Sequence, residues 1–232
     1  MSSFVFSPQP VTGVPIAGSP SLFPVRRVYC VGRNYAAHAR EMGKDPDKEA
    51  PFFFLKPADA VVPGGGGIHY PPGTGNLHHE IELVVALGGG GRRVPAQQAL
   101  GLVHGYAVGL DMTRRDLQSL AKDAGRPWDF GKAFDQSAPV GVIHPVSAVG
   151  HLASGGIALD VNGLTRQKAD IADMIWSVPE IISYLSDYYT LAPGDLIFTG
   201  TPAGVGAVYP GDELRGHVDG LGELVVTILP TL

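Results

Sequence analysis

The chain has 232 residues and a formal net charge of −5, with 44% apolar and 17% charged residues. That length and composition suit one large domain with a sizeable core and exclude a disordered chain. No Lys/Arg run, RNP-like pattern or zinc-finger spacing points to a nucleic-acid partner, and no apolar stretch approaches the ~18 residues of a membrane span. The single cysteine, Cys30, excludes internal disulfides and thiolate-rich zinc sites.

In chain order, residues 1–24 are rich in Pro, Gly and Ser and read as an N-terminal arm with little regular structure. Residues 25–232 read as one domain. The opening lacks a basic segment and a continuous apolar run, so it reads as mature sequence of a cytoplasmic protein. "VRRVYCVG" (25–32) reads as a strand, with Cys30 a small buried residue. "NYAAHAREMG" (34–43) reads as a short helix capped by Asn34 and stopped by Gly43. The charged loop "KDPDKEA" follows, then "PFFFLKP" as a short buried strand. "GGGG" at 64–67 and again at 88–91 reads as turns.

The run "IELVVAL" predicts a buried strand, as does "VHGYAVGLDMT" (103–113), which precedes the helical "RRDLQSLAKDAG". Asn162-Gly163 between two strand-like runs is a type I′ hairpin signal. "SVPEIISYLSDYYT" predicts the clearest helix, with Ser177 and Glu180 as a capping box and Pro179 in the first turn. "GDLIFTG" and "GELVVTIL" read as late strands. No 20–50-residue repeat is visible. The fold class is therefore mainly β with short helices (α+β).

Glu80 and Glu82 stand one residue apart where an apolar strand begins. On a strand, residues i and i+2 share a face, so these two like charges project together. Solvent, a basic partner or a divalent cation would each resolve the repulsion. Asp111 is a third carboxylate at the end of a strand. Three hard oxygen donors without cysteine suit Mg²⁺, Mn²⁺ or Ca²⁺ better than zinc. His78 and His79 are adjacent, so only one can share that face. Lys132, amid small and apolar residues, reads either as a surface lysine or as a cation that stabilises an anion. "TGTPAGVG" (199–206) is not a phosphate-binding loop, but a Gly-rich turn can present N–H groups to a carboxylate. His38 and Glu41, three apart on the first helix, can form an oriented general base on a segment able to close as a lid.

The segments "GRNYAAHAREMG", "FFFLKP", "LHHEIELVV", "GLDMTRRDLQ", "GRPWDFGKAFDQSAPVG", "VNGLTRQ", "DMIWSVPEIISYLS" and "PGDLIFTGTPAGVG" occur in this order. Together they resemble the fumarylacetoacetate hydrolase family over roughly residues 25 to 228. Within it the chain is most similar to the short acylpyruvate-cleaving members, including those that hydrolyse fumarylpyruvate in bacterial aromatic-ring degradation. The resemblance implies a rolled mixed β-sandwich, a homodimer, and one Mg²⁺ or Mn²⁺ per subunit on Glu80, Glu82 and Asp111. It implies a catalytic lysine at Lys132 and a lid dyad at His38 and Glu41. Thr201 would contact the substrate carboxylate, with Gln118 and Arg115 nearby; Arg33, Arg115 and Arg126 are candidates to read a distal carboxylate. The implied substrate is a small diketo acid. A sister activity of the same site, oxaloacetate decarboxylation or isomerisation or dehydration of a keto acid, is the alternative. A non-catalytic β-rich module and a cation-binding regulator are the remaining readings.

Overall fold

The computed structural model describes residues 3–35 and 50–232. Strands dominate. The larger sheet has eight strands, in the order Phe52–Lys56, Arg27–Gly32, Asp195–Phe198, Ile81–Leu87, Val103–Leu110, Ala138–Val140 and Val61–Pro63, with His144–Pro145 also paired to Val103–Leu110. It is mixed: Asp195–Phe198 runs parallel to Arg27–Gly32, and Ala138–Val140 parallel to Val61–Pro63. A second sheet of five strands orders Leu164–Asp170, Gly156–Val161, Glu213–Val218, Gly222–Leu229 and Gly66–His69.

The strand Ile81–Leu87 is buried along its whole length. Its alternation explains how the layers meet. Ile81, Leu83, Val85 and Leu87 join the core shared with Leu159, Leu214, Leu224 and Val226 of the second sheet. Val84 and Ala86 point the other way, into a smaller core with Val28, Cys30, Phe198, Val14 and Phe23. A strand covered on both faces carries no polar alternation, which is why it reads as a continuous apolar run.

Most predicted elements are present. The hairpin turns at Asn162 and Gly163, both at positive φ (52° and 76°), as a type I′ turn requires. The helix Val178–Tyr188 carries the Ser177–Glu180 capping box, with the Ser177 N–H donating to Glu180 Oε2 over 2.8 Å. Cys30 is fully buried, and burial pushes its thiol well above its usual pKa, as a packed apolar residue requires.

Four expectations need correction. Within residues 1–24, Gly13–Pro15 and Leu22–Pro24 pair as a two-stranded ribbon whose Val14 and Phe23 enter the smaller core. Gly66 and Gly67 begin a strand, because they run beside Val226 and Thr227, and a Cβ on Gly67 would meet Leu229 Cδ1 at 2.6 Å. The strand Phe52–Lys56 is half-exposed along its aromatic run. Asn34 holds the backbone of distant segments: its Nδ2 donates to the Trp176 and Thr199 carbonyls, and its Oδ1 accepts the Trp176 N–H. The remainder of the helix expected over 34–43 lies outside the described residues.

Candidate active site

Pairing register assembles the acids. Ile81 lies opposite Leu110 in the antiparallel ladder, so Glu80, just before the one, faces Asp111, just after the other. The Asp111 N–H donates to the Glu80 carbonyl over 2.9 Å. Glu82 is two residues along on the same side, opposite Gly109. One carboxylate oxygen from each of Glu80, Glu82 and Asp111 lies within 4.8 Å of the others, and all three residues are buried.

Basic groups close around them. Lys132, on the short helix Asp129–Lys132, puts Nζ 2.8 Å from Glu80 Oε2, 2.5 Å from Asp111 Oδ2 and 2.7 Å from Thr113 Oγ1. Burial lowers the Lys132 pKa, but Asp111 and Glu80 more than offset this and hold it above its usual value, so it is an ammonium. Arg115, the first residue of the helix Arg115–Asp123, donates to Glu80 Oε1 and, over 2.5 Å, to Gln118 one turn on.

Glu82 is costly to ionise where it lies. Burial pushes its carboxyl well above the usual range, and the charges of Asp111 and Glu80 push it further; Lys132 and the Gly200 N–H, 2.7 Å from Oε2, pull it back only in part. Three desolvated carboxylates, each offering an oxygen within 4.8 Å of the others, are the donor set that a hard divalent cation takes.

Eight predicted site residues meet around one small cavity of about 30 Å³: Glu80, Glu82, Asp111, Lys132, Arg115, Gln118, Arg33 and Thr201 all line it. The cavity shares Arg33, Phe52, Phe54, Trp128 and Lys132 with an adjoining aromatic cleft of about 520 Å³. There the Arg33 guanidinium stands 5.2 Å above the Phe52 ring, which meets Trp128 edge to face. Arg126 is exposed and lines neither space. His38 and Glu41 lie outside the described residues. Of the two histidines, His78 turns to Arg115 (Nδ1 to Nε, 3.4 Å) and His79 to Gln167 (2.9 Å).

Two residues escaped the reading of the sequence. Lys56 Nζ sits 2.8 Å from Asp111 Oδ1 and donates to the Met112 and Lys132 carbonyls, so Asp111 lies between two ammonium groups. A lysine inside the aromatic run "FFFLK" is the faint signal it left. Gln167 connects His79 to Thr201; it ends the segment "VNGLTRQ", but its residue type alone suggests no role.

A mixed β-sandwich that gathers three buried acids and a lysine beside an open cleft has the donor set of a divalent-cation site. The family model "Fumarylacetoacetate (FAA) hydrolase C-terminal" matches residues 27–229, and the chain belongs to the fumarylacetoacetate hydrolase family. It is 57% identical to the fumarylpyruvate hydrolase of Pseudomonas aeruginosa, solved in complex with Mn²⁺ and pyruvate; the TM-score is 0.97 over 98% of this chain and 100% of that one. A fumarylpyruvate hydrolase of Ralstonia sp is 50% identical over 191 residues, 82% of this chain and 99% of the relative. The human mitochondrial oxaloacetate tautomerase FAHD1 is 45% identical over 196 residues, 84% of this chain and 88% of the relative.

Proposed function

We propose that this protein is an acylpyruvate hydrolase that cleaves fumarylpyruvate to fumarate and pyruvate, using Mg²⁺ or Mn²⁺ held by Glu80, Glu82 and Asp111. The observation that carries this reading is the buried carboxylate trio beside Lys132 at the mouth of an aromatic cleft. The likeness to a relative solved with Mn²⁺ and pyruvate supports it. When bound, the cation supplies a Lewis acid for the α-keto acid end of the substrate.

The chain's own groups do the rest. Thr201 and the N–H groups of its loop hold the substrate carboxylate. His38, oriented by Glu41, takes a proton from a water, and the resulting hydroxide attacks the distal acyl carbonyl. The C–C bond then breaks and its electron pair leaves with the pyruvate half as an enolate. Lys132, a buried ammonium already held against Glu80 and Asp111, stabilises that charge as it develops. Arg33, above Phe52 in the wider cleft, reads the far carboxylate of the fumaryl group. The working unit is a homodimer in the cytoplasm, in bacterial degradation of aromatic rings.

The FAHD1 relative favours a second reading, in which the same site interconverts the keto and enol forms of oxaloacetate and needs no attacking water. The test is turnover by the metal-stripped protein with Mg²⁺ or Mn²⁺ restored. Equal, metal-dependent release of fumarate and pyruvate establishes the hydrolase. Oxaloacetate tautomerisation without fumarate release replaces it with the second reading. His38→Ala should abolish hydrolysis far more than tautomerisation.

A further inference from the structure

The loop Thr199–Pro202 is held by three side chains from three distant segments. Asn34 Nδ2 donates to the Thr199 carbonyl over 2.8 Å, and Glu82 Oε2 accepts the Gly200 N–H over 2.7 Å. Gln167, buried at 1% exposure, makes four bonds. Its Oε1 faces His79 Nδ1 (2.9 Å) and accepts the Ile81 N–H (3.1 Å); its Nε2 donates to Thr201 Oγ1 and to the Pro202 carbonyl, each over 2.8 Å.

Two of these partners fix the amide absolutely. A backbone N–H can only donate and a carbonyl can only accept, so Oε1 must face Ile81 and Nε2 must face Pro202. Two consequences follow. His79 must carry its hydrogen on Nδ1. Thr201 Oγ1 must accept from Gln167, so its own O–H is left to point elsewhere. Thr201 lines the cavity with Glu80, Glu82, Asp111 and Lys132.

We propose that Gln167 is a positioning residue that makes the Thr201 hydroxyl an obligate hydrogen-bond donor into the active site, where a substrate carboxylate needs one. A threonine hydroxyl left to itself can donate or accept. Oriented in advance, it meets the anion with no reorganisation. This rests on the proposed reading of the site as one for an α-keto acid. The role is distinct from those of the metal-holding acids: Gln167 touches no substrate and acts only through Thr201.

A double-mutant cycle tests it. Gln167→Met, Thr201→Val and the double variant are compared in the Mn²⁺-loaded protein. Each single change is expected to lower kcat/KM for fumarylpyruvate about tenfold, chiefly through KM, as loss of one hydrogen bond to a charged group does. The double variant should be no worse than Thr201→Val alone. An additive loss near a hundredfold, or an unchanged Gln167→Met, overturns the proposal. If Gln167→Met does not fold, Gln167→Glu serves. Measured above the pKa of the introduced carboxyl, where it is ionised, the carboxylate can only accept from Thr201, so the hydroxyl reverses and the same loss is expected. Nitrogen-15 NMR of His79 should show the proton on Nδ1, and a bare Nδ1 overturns the network whatever the activity. If the wild-type protein binds pyruvate but leaves fumarylpyruvate intact, the hydrolase reading fails. The cycle is then read from the Kd for pyruvate, with the same tenfold weakening and the same non-additivity expected.

Discussion

At the scale of the residue, Glu82 shows stability given up for a site. Its folded pKa is raised by burial and by Asp111 and Glu80. A carboxylate with a raised pKa contributes fully below its unfolded value, and that contribution is lost as pH rises. Glu82→Gln should therefore stabilise the metal-stripped protein at pH 7, on the order of 1–3 kcal/mol, with the gain vanishing near pH 4. Thermal melts at the two pH values, with chelator present, check this; no gain at pH 7 refutes it. The same variant should respond less to Mn²⁺.

His78 gives the opposite slope. Burial, then Arg115, lowers its pKa from 6.5 to about 4. The unfolded chain takes up a proton near 6.5 and the folded one only near 4, so stability holds above 6.5 and falls as pH drops between those values. His78→Gln should flatten that part of the urea-midpoint profile, whereas a profile identical to wild type would remove His78 from the account. At this scale the acids were legible as candidates because charges at the ends of apolar strands need a reason, whereas Lys132 was picked out as catalytic by the family resemblance. Lys56 and Gln167 were not. Their partners, Asp111 for one and His79 and Thr201 for the other, are brought near only by the sheet.

Elements set the tolerances of the site. Gly109 lies opposite Glu82, and a Cβ there would sit 2.4 Å from Val84 Cγ2 and 2.8 Å from Phe198 Cε1. Gly109→Ala should cost about 1–3 kcal/mol through overpacking and weaken metal binding by spreading the ladder that carries Glu82. Denaturant midpoints and a Mn²⁺ titration measure both; a variant as stable as wild type would show that the strands yield freely. Long strands, the type I′ hairpin and the capped helix were readable, since each carries a period or a turn signature. The ribbon Gly13–Pro15 with Leu22–Pro24, and the small sheet of Thr113–Arg114, Leu77–His79 and Gly206–Ala207, were not. Strands of two or three residues are too short to show alternation, and only their partners define them.

For the whole molecule, the cation should bind the folded state and not the unfolded chain. Mn²⁺ at about 100 times its Kd would then add about 2.7 kcal/mol. At roughly 2–4 °C per kcal/mol for a chain of this size, the melting temperature should rise about 5–11 °C. A Glu80→Ala, Glu82→Ala double variant should show no rise, and an equal rise there would place the ion elsewhere.

The strand Asp195–Phe198 has one more consequence, in time. It lies between Arg27–Gly32 and Ile81–Leu87, and among the described residues of this sheet the edge pair Phe52–Lys56 and Arg27–Gly32 reaches the remaining strands through it. On the ribosome it emerges after four-fifths of the chain. At about 5–20 residues per second, Asp111 waits on the order of 10 s for the strand that completes its sheet. A nascent chain arrested before Asp195 should therefore expose the apolar faces of both halves and be cut readily by protease, while resistance should appear only once Glu213–Val218 and Gly222–Leu229 are also released to cover the main core.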